Sequence, residues 1–359
     1  MIAFVVALPL LLATVLVIFY FERKMASFMQ DRLGPTHVGI WGTLQPVADL
    51  LKLLQKEDIV PLQADKALFK MAPYIIFLSV LASFAFVPLA MSYPAAYSAS
   101  AIFFILGILA LDVVGILLAG WSSNSKYALI GAMRTAAQVI SYEVPIGLCV
   151  LVAVMWHGSL NLDHIANAQS MYASLPNYLF GIKGLQINDY GGILNWNILQ
   201  APFFIPLFII YFIAALADCN RAPFDIPEAE SELVGGFHTE YSGFRFAVFF
   251  LSEYCKMLLF SILAVFLFFG GYHSPAVNIG SIKLCQYTTG VAGTASGYAW
   301  GVFWIFSKSF FIMLLQVWVR WTFPRVRIDQ LMSLSWKYLT PICFVLMIVC
   351  ALWKIWLIS

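Results

Sequence analysis

Charge is what this sequence lacks. Only 11% of its 359 residues are Asp, Glu, Lys or Arg, and 62% are hydrophobic. A soluble domain carries about 25% charged residues to cover its surface, so a water-soluble globule is excluded and most of this surface must face lipid. CxxC pairs are missing as well. The six cysteines (Cys149, Cys219, Cys255, Cys285, Cys343, Cys350) are scattered through apolar runs, and the five histidines are equally dispersed. Iron–sulfur and zinc sites need clustered ligands, so no metal, haem or iron–sulfur cluster is expected on this chain alone. No GxGxxG or Walker string occurs, which removes the common flavin and nucleotide cradles. A net charge of +2 offers nothing for nucleic acid to read. The first apolar run lacks a basic n-region and a small-residue cleavage site and ends in Glu22-Arg23-Lys24. It is expected to be a retained span, not a signal peptide.

Long apolar runs are what the chain has instead. About 20 apolar residues cross a bilayer core of about 30 Å. Eight stretches qualify: Ile2–Phe21, Ala72–Met91, Ala101–Gly120, Ala137–Trp156, Asn197–Ala217, Ala247–Gly270, Trp300–Val319 and Tyr338–Ile358. The expected fold is therefore an all-α polytopic membrane protein, one membrane domain over residues 1–359 with eight transmembrane helices. Basic residues orient it. Arg23, Lys24, Arg32, Lys52, Lys56, Lys66 and Lys70 lie in the first loop (22–71), Lys126 and Arg134 in the third, Arg221 and Arg245 in the fifth, and Arg320, Arg325, Arg327 and Lys337 in the seventh. Only Lys183, Lys283 and Lys354 fall on the other side. Both termini are thus expected on the non-cytoplasmic side.

Within the first loop, QPVADLLKLLQK places Val47, Leu50, Leu51 and Leu54 on one helical face and Asp49, Lys52 and Lys56 on the other. This predicts an amphipathic helix over 45–56, either lying in the membrane interface or packed on protein. The external loops from His157 to Trp196 and from Gly271 to Ala299 are rich in Gly, Asn, Ser and Tyr and show no chemistry.

Ionisable groups inside spans are costly and point to function. Asp112 sits midway along the third span, Glu143 two residues before Pro145 in the fourth, Asp218 at the end of the fifth, Glu253 and Lys256 in the sixth and Lys308 in the seventh. Glu253 and Lys256, one turn apart, could simply neutralise each other; spread over five spans, the set instead suggests a proton route. The loop at 218–246 adds Asp225, Glu228, Glu230, Glu232 and Glu240 near Arg221. Asp225 and Glu228 have the spacing of a reciprocal helix cap, and acids in a first turn suit the helix dipole. That explains some of these acids, and the rest look like one wall of a polar cavity facing the basic first loop.

Four blocks resemble a known family. RAPFDIPEAESELVGGFHTEYSG (Arg221–Gly243) is similar to the signature loop of the quinone-module membrane subunit of respiratory complex I, called the H subunit in bacteria and NADH dehydrogenase subunit 1 in mitochondria. ERKxxxxxQDRLGPxxVGxxGxLQPxADxxKL (Glu22–Leu53), GWSSNSKYALIGAMRTAAQVISYE (Gly120–Glu143) and QVWVRWTFPRVRIDQLMxLxWK (Gln316–Lys337) agree with it in the same order. The resemblance implies a subunit of a proton-translocating NADH:quinone oxidoreductase in a bacterial inner membrane. Its partners would be the other membrane subunits and the soluble quinone-module subunits, its ligand a quinone shared with them, with no redox centre of its own. Residues implied to line the quinone cavity are Arg23, Arg32, Asp49, Lys52, Arg221, Phe224, Asp225, Glu228, Glu230 and Glu232. The resemblance places Glu143 and Asp218 at the start of a proton pathway, to which the reading of charges within spans adds Asp112, Glu253 and Lys308. One departure stands out: ADCNR carries Asp218 where many members have Glu. An ion-pumping hydrogenase subunit and a secondary ion transporter remain as alternatives, the latter without the internal repeat such folds often show.

Overall fold

The computed structural model describes residues 2–90, 98–173, 176–182, 185–226, 234–278, 283–290 and 293–358. Among these the chain is helical: α1 Ile2–Met29, α2 Gln45–Gln55, α3 Lys66–Phe84, α4 Ala101–Leu109, α5 Leu111–Ser122, α6 Lys126–His157, α7 Leu162–Ala168, α8 Asn197–Gln200, α9 Phe204–Asp218, α10 Gly243–Phe268, α11 Leu284–Thr289, α12 Ala295–Thr322, α13 Ile328–Ser333 and α14 Thr340–Ile358. A short π-helical segment, Leu334–Leu339, joins α13 to α14.

Among the described residues, six segments are long and apolar enough to cross a membrane: Lys66–Phe84, Ala101–Ser122, Lys126–His157, Gly243–Phe268, Ala295–Thr322 and Ile328–Leu357. Two of the eight expected spans fall outside this set. The first is α1, a 28-residue helix. The other, expected over Asn197–Ala217, is broken. Pro202 pushes Ala201 out of the helical region to φ −146°, ψ 138° because its ring clashes with a helical predecessor. A single turn, α8, is thereby separated from the 15-residue α9, which is shorter than the about 20 residues a full crossing needs. The third expected span is also jointed, with α4 and α5 meeting at Ala110, and the second stops at Phe84 short of Met91.

α10 is the axial helix, with 83% of its apolar window buried. It packs on α3, α9, α12 and α1, while α6 packs on α5, α9 and α14. Small residues allow the close crossings: a Cβ on Gly115 would stand 2.4 Å from Ile76 Cγ1, and one on Gly120 would stand 2.3 Å from Ala132 Cβ. Without a hydrophobic drive between helices in lipid, such backbone approach is a main source of association.

Candidate functional site: a charged cavity joined to a buried ion cluster

A cavity of ≈ 510 Å³ opens between the end of α1, the loop after it, α10 and the end of α12. Its walls include Phe19, Glu22, Arg23, Arg32, Arg221, Phe250, Tyr254, Arg320 and Trp321. The loop reaches back to α1 through Gly34, at φ +68°, where a Cβ would sit 2.5 Å from Ser27 Oγ. Only glycine fits that approach without strain.

The polar residues of the wall hold one another. Glu22, buried at 6% exposure, accepts hydrogen bonds from the Tyr254 hydroxyl and from Arg320. Arg23 pairs with Asp49 of α2 and stacks its guanidinium 4.4 Å from the Phe19 ring. Arg221 lies 4.2 Å over the Tyr254 ring, and its Nη2 is 3.5 Å from Glu253 Oε2. Four arginines against one glutamate leave the lining cationic, while Phe19, Phe250 and Trp321 supply an apolar side. Such a space suits a ligand with a polar, electron-rich head and a greasy body.

Behind Arg221 lies a second, enclosed space of ≈ 20 Å³, room for about one water. Asp112, Asp218, Glu253 and Lys256 line it. Lys256 Nζ is 2.8 Å from Asp112 Oδ2 and 3.2 Å from Asp218 Oδ2. The helix joint at Ala110 puts Asp112 in the first turn of α5, where the dipole favours a carboxylate. Asp218 ends α9, where the dipole disfavours one, and Lys256 offsets that. Glu143, half-buried on α6, is close enough to feel the charges of Asp218, Lys256 and Asp112.

The connecting loop is anchored from α6. Gln138 Nε2 donates to the Ala217 carbonyl at 2.6 Å and to the Phe224 carbonyl at 2.9 Å, satisfying an acceptor left over at the end of α9. His238 sits among Phe237, Phe246, Phe249 and Phe250, with ring centroids 5.0 to 6.5 Å away. Burial lowers its pKa to about 4, opposed in part by the charge of Asp225.

Of the residues singled out from the sequence, Arg23, Arg32 and Arg221 line the cavity together. Asp112, Asp218 and Glu253 line the enclosed space, with Glu143 near them. Asp49 stands one step behind, held by Arg23 and by Gln45 Nε2 at 3.1 Å, and Lys52 is exposed on the same helix. Phe224 is buried in the core, 5.9 Å from the Tyr142 ring, and Asp225 pairs with Arg325 at 3.3 Å. Lys308 stands elsewhere, donating to the carbonyls of Phe269, Gly271 and His273 just past the end of α10. Glu228, Glu230 and Glu232, and with them the expected cap, lie outside the described residues. The neutralising pair Glu253–Lys256 does not form as the primary contact: Lys256 turns to Asp112 and Asp218, and Glu253 to Arg221. Sequence reasoning missed Glu22, Tyr254 and Arg320 as cavity residues; charges at both ends of apolar runs, Glu22 and Arg320, were the available signal. Among the described residues no group of three His, Cys, Asp or Glu side chains could hold a metal ion.

Residues 1–351 match the family model for NADH dehydrogenase. The chain is 49% identical over 360 residues to the H subunit, number 2, of the NADH-quinone oxidoreductase of Cytophaga hutchinsonii, covering 99% of this chain and 98% of that one. It is 48% identical over 337 residues to the NADH-quinone oxidoreductase H subunit of Chlorobium luteolum, covering 94% and 84%. The corresponding Bacteroides fragilis H subunit is 40% identical over 350 residues, with 97% and 88% covered. A charged cavity backed by a buried ion cluster is therefore carried on a chain that belongs to the NADH dehydrogenase family, among the H subunits of NADH-quinone oxidoreductases.

Proposed function

We propose that this chain is the membrane subunit of a proton-translocating NADH:quinone oxidoreductase, forming the membrane wall of its quinone cavity and passing the redox event to a proton route. The reading takes the chain as eight spans with both termini outside, in a bacterial inner membrane, with soluble quinone-module subunits and further membrane subunits as partners. Electrons come from a neighbouring chain, and reduction of the quinone takes up two electrons and two protons. The single observation that carries this is Arg221, which lines the cavity and also contacts Glu253 in the wall of the enclosed space. Negative charge arriving on a quinone head attracts the arginines of the wall. Any shift of Arg221 toward it weakens the field that Arg221 exerts on Glu253, and Asp218, Lys256 and Asp112 feel the change through their mutual contacts. The Phe19, Phe250 and Trp321 side of the cavity suits the quinone tail.

A photoreactive quinone added to the purified assembly tests the reading. Labelling should fall on the Glu22–Pro35 segment or on α10 around Phe250 and Tyr254. Labelling confined to the loops at 157–196 and 271–299 overturns it. Co-purification of flavin and iron–sulfur subunits from native membranes separates this function from a hydrogenase subunit or a free transporter.

A further inference from the structure

At the other end of the bundle, the loop after α6 folds back over the last helix. α6 starts beside the first loop, where Asn124 Nδ2 donates to the Gln63 carbonyl at 3.2 Å. Its 32 residues then carry the chain about 48 Å to His157. There a cavity of ≈ 380 Å³ is walled in part by His157, His164, Asn177, Tyr178 and Lys354. No Asp or Glu is in its described lining. Lys354 Nζ donates to the Met155 carbonyl at 2.9 Å, which uses one of the three donors of an ammonium group. His157 Nε2 is held by Asn197 Oδ1 at 3.0 Å and Asn177 Nδ2 donates to the Ala168 carbonyl at 3.0 Å, so the remaining ammonium donors, with the His164 ring and the Tyr178 hydroxyl beside them, make a polar space whose one fixed charge is the cation of Lys354.

A second space adjoins it on the same helix. Val349, Leu352, Trp353 and Trp356 line an apolar groove of ≈ 400 Å³. Trp353 of the groove packs against the polar cavity: a Cβ on Gly181, which lines that cavity, would stand 2.4 Å from Trp353 Nε1. Val349 lies about 7.5 Å further along the helix axis than Lys354, toward the middle of the bundle. Tryptophans at such a level mark the boundary between headgroups and hydrocarbon.

We infer that these two spaces are one binding site for an anionic glycerophospholipid, its phosphate in the polar cavity and an acyl chain in the groove. The Lys354 ammonium, which no acid in the described lining neutralises, favours an anion. A zwitterionic lipid would bring an ammonium group toward Lys354, and a free phosphate would leave the groove unfilled.

The test uses the intact assembly in lipid vesicles containing phosphatidylglycerol or phosphatidylcholine with a photoreactive group on the acyl chain, followed by peptide mapping. Phosphatidylglycerol should label Val349–Trp356 in preference to phosphatidylcholine. Lys354→Gln should cut the phosphatidylglycerol signal about fivefold, the loss expected for one lysine–anion contact at a membrane surface, and leave the phosphatidylcholine signal unchanged. His164 is exposed, so His164→Gln should reduce the signal in the same direction without risk to assembly, and it decides the matter if Lys354→Gln fails to assemble. Equal labelling by both lipids overturns the inference, as does labelling indifferent to the substitutions. No labelling, because another subunit covers the helix, also overturns it. Full displacement by inorganic phosphate would mark a phosphate site without a lipid and overturn it too.

Discussion

Arg221 Nη2 stands 3.5 Å from Glu253 Oε2, and that contact is where the wall of the cavity meets the wall of the enclosed ion cluster. The arginine is buried at 6% exposure and stacked on Tyr254, so a change in its shape is felt at both walls. Arg221→Lys keeps the charge but loses the planar fork and the stacking. Quinone turnover should fall about tenfold or more, the rate equivalent of a charge-assisted contact worth about 1.5 kcal/mol or more. Reduction of ferricyanide by the soluble partners should be unchanged. Full quinone turnover in the lysine variant would remove Arg221 from the proposed coupling.

Tyr254 does two things at once, donating its hydroxyl to Glu22 and offering its ring to Arg221. Tyr254→Phe separates them, because only the hydroxyl is lost. The buried Glu22 then keeps Arg320 but loses a donor, and the cavity wall loosens there. KM for a short-chain quinone should rise about tenfold, as for one lost hydrogen bond to a charged group worth about 1.5 kcal/mol, with kcat less affected. Tyr254→Ala should lower both quinone affinity and kcat. A phenylalanine variant with unchanged KM would confine Tyr254 to packing.

How much of this was legible in the sequence depends on the range of the interaction. Hydrophobic run length is a local property, and six of the eight expected spans coincide with helices of spanning length. The expected fifth span shows where that reading stops: Pro202 sits inside an otherwise apolar run, and averaging over the run conceals the break at Ala201. The ion pairs could not be read locally at all. Glu253 and Lys256 are one turn apart on α10 and look like partners, yet Asp112 and Asp218 come from other helices to take Lys256. Glu22 and Arg320 are nearly three hundred positions apart (298) and each resembles an ordinary charge flanking a span. Their meeting is a consequence of α1 and α12 packing together.

Lys256 holds two buried carboxylates, Asp112 at 4% and Asp218 at 1% exposure. Lys256→Met leaves both without it, and removing one member of a buried ion pair costs about 3–5 kcal/mol. Native gels should show much less assembled complex, and what remains should inactivate at lower temperature. Adding Asp112→Asn removes one of the stranded charges and should recover part of the loss. If the double variant is no better than the single one, the cluster is not held together by charge balance.

His238 allows a pH test outside the spanning segments. Its aromatic surroundings lower its pKa to about 4, against about 6.5 for a free histidine. The folded chain therefore binds fewer protons at this site than the unfolded chain between these two values. The contribution to stability is complete above pH 6.5 and is lost progressively as pH falls toward 4, by about 3 kcal/mol in all. His238→Gln keeps a neutral polar side chain at every pH and removes this dependence. Thermal inactivation of the assembly should thus become more acid-sensitive in the wild type than in the variant between pH 6.5 and 4, with the two curves closest at neutral pH. Parallel curves across that window would mean that the ring is not held in its neutral form by the phenylalanines around it.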